Sequence, residues 1–129
     1  MKTQDLETLK KADALHDEAM DIAMHANLAM KSDRLDESKK LHWQAFELER
    51  QAAEIYKEHG TDELWRAVLF RSAAWLAFHA KRYLETLDMV RAGLALDPPE
   101  YVEQQLLEVL EQLPSEIKRH RLHEMKVAA

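Results

Sequence analysis

Two of the three prolines in this 129-residue chain stand side by side at Pro98-Pro99, and glycine and proline together number only five. So little punctuation does not suit the many tight turns of an all-β fold. The strong helix formers Ala, Leu, Glu, Lys, Gln and Met dominate instead, and alternating β-branched runs are absent. The chain reads as all-α and as one domain, too short for two separate cores. Without cysteine it has no disulfide framework and no Cys-ligated zinc or iron–sulfur site. The charged N-terminal stretch "MKTQDLETLKKADALHDEAM" is unlike a signal peptide, and no apolar run reaches membrane length. A soluble cytoplasmic protein is expected.

A net charge of −6 argues against nucleic acid as the main partner, because phosphate contacts need a basic face. The charge is uneven. Residues 114–129 hold four Lys/Arg against two Glu, so this tail is basic on an otherwise acidic chain. The expected division is a helical domain over 1–113 and a basic tail over 114–129 that reads as a frayed helix end.

Apolar periodicity predicts five helices. Leu6, Leu9, Ala12, Leu15, Ala19, Ile22, Ala26 and Ala29 stripe the first, from about Asp5 to Met30. Ser32 and Asp33 are candidate N-caps for a second helix, whose stripe runs from Leu35 to Ile55 and ends near His59-Gly60, with Gly60 as a left-handed C-cap. The two pair as a long hairpin, with Leu6, Leu9 and Leu15 against Ile55, Ala52 and Leu48. Thr61 or Asp62 caps a third helix from Leu64 to His79, apolar on nearly every side and therefore central. "AKRY" is a tight corner. Tyr83, Leu87, Val90 and Leu94 stripe a fourth helix, and Asp97 is the expected N-cap of a fifth, with Glu100 completing a capping box.

Helix pairs raise the question of repetition. A repeat of about 34 residues counted back from Pro98 begins at Ala67. Ala73-Ala74 then fall on its small pair, Tyr83 on its corner aromatic, Val90 on its mid-helix apolar position, and "GLALDP" (Gly93 to Pro98) on its closing signature. These residues resemble a tetratricopeptide repeat, with Ala77 and Thr86 as departures. A second copy starts at Ala19, with Ala26 and Ala29 at the close-contact positions, Leu35 for the corner aromatic and Arg50 for the final proline. The whole run also resembles small bacterial helical proteins of this repeat type, of the cyanobacterial sort. That resemblance implies a fold and no known activity, while a repeat of this type presents its first helices to a concave groove. Its groove-facing positions are Met20, Ala23, Asn27 and Met30 in the first copy. In the second they are Val68, Arg71, Trp75, Phe78 and His79.

The residues themselves offer little catalytic machinery. No Gly-rich phosphate loop or nucleophile elbow is present, and a di-iron bundle would need two Glu-x-x-His motifs where the nearest match is "DALH", Asp13 to His16. His16, His25 and His42 are the candidates for a site across the first hairpin, with Asp21 a turn from His25. In the tail, His120, His123 and Glu124 share a face. Solvated helix faces are the commoner home for such residues, so neither an enzyme nor a metal or other cofactor is expected. The expected function is a protein-protein interaction module with a polypeptide partner in a short Met/aromatic groove, and no nucleic-acid or membrane partner. Self-assembly as a homodimer is the alternative, motivated by the bulky Trp43, Phe46, Trp65 and Phe70. A metal-binding or enzymatic helical protein is the third.

Overall fold

The computed structural model describes residues 3–119, the side chains from residue 5 onward. The fold is all-α. Five helices follow one another, α1 (Thr3–Lys31), α2 (Leu35–His59), α3 (Glu63–His79), α4 (Tyr83–Leu94) and α5 (Glu100–Glu111), and residues 115–119 form a further helical turn. Among the described residues no helix is long and apolar enough to cross a membrane. The tail residues His120, His123 and Glu124 lie outside the described residues.

α1 and α2 form an unbroken antiparallel hairpin, tied at its open end by Asp5 to His59 and Asp13 to Tyr56. Its seam is made of alanines. Ala12, Ala19, Ala26 and Ala29 from α1 and Ala45, Ala52 and Ala53 from α2 are all fully buried, which lets the two backbones approach closely. The leucines expected to fill this seam flank it instead: Leu9, Leu15 and Leu48 are half-buried and Leu6 is 48% exposed. α3 is central. It buries Ala67, Leu69, Phe70, Ala73, Ala74, Leu76 and Ala77 and packs against α2, α4 and α5. Gly93 of α4 lies close against α5, where an added Cβ would lie 2.9 Å from Leu106.

Both hairpin corners are built alike. Asp33 and Lys81 each adopt φ 59°, Arg34 and Arg82 donate their backbone N–H to Ala29 and Ala77, each at 2.9 Å, and each arginine is the N-cap of the next helix without a side-chain cap bond. Ser32 and Asp33 are therefore not the caps of α2. Asp33 turns left-handed to close the corner, which excludes the extended backbone that a cap needs. Every one of these positions has its counterpart 48 residues on.

Three other ends differ in detail from the sequence expectation or agree with it. Asp62 caps α3, its carboxylate accepting from Trp65 N–H at 3.0 Å. Gly60 is extended rather than left-handed, at φ −81° and ψ 149°, and is required by space, since a Cβ there would meet Tyr56 at 2.7 Å. The expected capping box at Asp97 does not form. A residue preceding proline is driven out of the α region, so Pro98, followed by Pro99, cannot begin a helix. Asp97 turns left-handed at φ 51°, Pro99 is the N-cap, and α5 starts at Glu100. Past α5, Ile117 packs back onto the core and Lys118 reaches Glu111 at 3.6 Å, so the first part of the tail belongs to the folded body.

Candidate functional site

α3 buries two of its sides, and the residues left over recur on a third: Val68, Arg71, Trp75, Phe78 and His79. Met20, Ala23 and Asn27 recur at the same helical spacing on α1. Where the two faces meet they form a cleft of about 300 Å³, lined by Met20, Ala23 and Asn27 from α1, His42 from α2, and Arg71, Ser72, Trp75, Leu76 and His79 from α3. Met30 and Phe78 belong to a neighbouring pocket that shares His79. Val68 is half-buried and packs on the edge of the core, lining neither hollow.

Trp75 and Phe78 are partly core and partly surface. Both are half-buried and packed against the core cluster, and they meet edge to face at 5.6 Å. Trp75 also stacks on His79, with centroids 5.9 Å apart and planes 23° apart. The result is a continuous aromatic rib along the cleft.

Arg71 does not pair with Asp21 of the first hairpin. Its guanidinium donates to the side-chain carbonyl of Gln105 on α5, so a neutral amide orients it, and among the described residues it forms no ion pair. A half-buried cation held this way is poised for an anionic or carbonyl-rich ligand.

His42 forms the floor. It is fully buried, donates Nδ1–H to the Ser38 carbonyl at 3.0 Å, and lies 5.0 Å from the His79 ring. Burial first and the neighbouring His79 second push its imidazole below the usual histidine range. His79 is lowered as well, by burial and then by the ammonium of Lys81. Both rings are neutral at pH 7, leaving Arg71 as the cation of the cleft.

One polar cluster behind the cleft centres on Glu49, which no predicted site contains, and takes in His16 from the candidate set of the first hairpin. Glu49 of α2 is fully buried, between His16 of α1 and Ser72 of α3. Burial raises its carboxyl above the usual range, opposed by hydrogen bonds from Ser72 and His16. Trp65 meets His16 edge-on at 5.1 Å. The signal was present in the sequence: His42 and Glu49 fall on the same stripe as Ser38, Ala45 and Ala52, three or four residues apart, a place where charge is expensive without a partner.

His16, His25 and His42 are not brought together. His16 serves Glu49, His42 serves Ser38 and His79, and His25 is exposed. Asp13, the acid of "DALH", binds the Tyr56 hydroxyl at 2.6 Å. Among the described residues no group of three His, Asp or Glu side chains is placed to hold a metal ion. No protein-family model matches the chain, and no curated protein or solved structure matches it either.

Proposed function

We propose that this chain is a tetratricopeptide-like, non-enzymatic interaction module of the cytoplasm that binds a polypeptide partner across the cleft between α1 and α3. The observation that carries the reading is Arg71, a half-buried cation oriented by a neutral amide in a cleft otherwise walled by Met20, Ala23, Trp75 and Leu76. Adaptable methionines beside a fixed Trp and Arg form a surface of the kind that anchors protein interfaces. The repeat reading is supported by the two alike corners 48 residues apart, and by the small residues Ala26 and Ala74, Ala29 and Ala77, buried at matching places.

A homodimer is the second reading. Its first motive is weakened, because Phe46 and Phe70 are buried and Trp43 and Trp65 pack against the core. A different observation favours it: Met24 and Leu28, 54% and 50% exposed, extend the apolar face of α1 beyond the cleft. Sedimentation velocity at micromolar concentration separates the two. A monomer agrees with a foreign partner, and a stable dimer replaces that reading with self-assembly.

A further inference from the structure

The pocket beside the cleft has a chemistry of its own. It holds about 430 Å³ where the two hairpin corners come together, within the size range of small-molecule sites. Met30, Leu35, Phe78 and Tyr83 supply apolar walls, while Lys39 and Lys81 bring two ammonium groups and Asp36 one carboxylate. Among the described residues the ammonium group of neither lysine forms an ion pair or a hydrogen bond. The excess positive charge is therefore local to the pocket, on a chain whose net charge is −6.

Two further observations point the same way. Lys81 stands at the left-handed position of its corner, φ 59°, where glycine would sit without strain, so the corner keeps a lysine at a conformational cost. Its ammonium is felt at the His79 ring, which it helps to hold neutral. The apolar part of the pocket is aromatic, with the Phe78 and Tyr83 rings 5.9 Å apart and His79 5.6 Å from Phe78. The Tyr83 hydroxyl has no hydrogen-bond partner among the described residues.

We infer that this pocket is a binding site for a small aromatic carboxylate, its ring against Phe78 and Tyr83 and its anion held by Lys39 and Lys81. A neutral ligand leaves both ammonium groups unpaired, a cation is repelled, and a bare inorganic anion leaves the aromatic wall uncovered. The site adjoins the Arg71 cleft at His79 but does not contain Arg71, and the inference does not depend on the polypeptide reading.

Titration with 2-naphthoate, followed by amide chemical shifts, tests it on the full chain. Saturable shifts are expected at residues 36–39 and 78–83 below about 1 mM. The uncharged 2-naphthamide should bind at least about tenfold more weakly. A Lys39→Met, Lys81→Gln double variant should lose a similar factor, and Arg71→Met should bind 2-naphthoate as the parent does. No saturable shift, equal affinity for the amide, or undiminished affinity in the double variant would overturn the site. Loss of 2-naphthoate binding in Arg71→Met would overturn it too, by moving the ligand to the neighbouring cleft. Should the double variant fail to fold, the comparison of acid and amide on the parent protein decides alone.

Discussion

Glu49 on α2 accepts the Nδ1–H of His16 on α1 through both carboxylate oxygens, at 2.8 and 3.0 Å, with its own side chain wholly out of solvent. Burial raises this carboxyl above its ordinary value near 4.5. The folded chain therefore keeps a proton that the unfolded chain releases. The resulting stability is complete below about pH 4.5 and is lost as pH rises through the higher folded value. Glu49→Gln keeps an acceptor for His16 and removes the titration. Melting temperatures taken from pH 4 to 8 should show the parent losing ground to Glu49→Gln as pH rises, and parallel profiles would contradict the assignment.

The His42–His79 pair has the opposite sign. Both imidazoles titrate below 6.5 when folded, so the unfolded chain binds protons that the folded chain refuses. Their stability is fully present above pH 6.5 and is lost as pH falls. His42→Leu should flatten this loss between pH 6.5 and 5 in urea unfolding. A slope equal to the parent's would show that His42 is not the group concerned.

The alanine seam makes a prediction that the leucine stripe would not. Ala52→Leu forces bulk into a closed backbone approach and should cost about 1–3 kcal/mol. Leu6→Ala touches an exposed flank and should stay within about 0.5 kcal/mol. Denaturant midpoints check both, and a reversed order would mean that leucines carry the hairpin.

The contrast shows what periodicity can and cannot give. The helices were legible because apolar spacing and scarce breakers act locally, and α2 begins and ends where its stripe predicts. The corners were less so. Asp33, Lys81 and Asp97 turn left-handed without glycine, a choice that tertiary packing imposes on residues with no strong signal of their own. The candidate cleft was partly legible, since Met20, Asn27, Arg71, Trp75 and His79 share it, while Met30 and Phe78 fall in the adjoining pocket and Val68 in neither. Gln105 as the partner of Arg71 was not legible, because a contact between residues 34 apart depends on how α5 packs.

Lys81 carries the strain of a left-handed side chain, about 1–2 kcal/mol. Lys81→Gly relieves it while adding freedom to the unfolded chain, for a net gain of about 0.5–1 kcal/mol. Thermal melting should show the rise. A fall would mean that the Lys81 side chain stabilises the corner by more than its backbone costs.

The polypeptide reading stands or falls on Arg71. Random peptides displayed as a library and selected on the immobilised protein supply ligands of known sequence, and each is then titrated against the parent and Arg71→Met. Methionine retains the packing of the stem and removes the charge. Enriched peptides should lose more than about 1.4 kcal/mol, tenfold in Kd, with the melting temperature unchanged. If no peptide enriches, or if the enriched ones bind Arg71→Met as tightly as the parent, the cleft is not the binding surface.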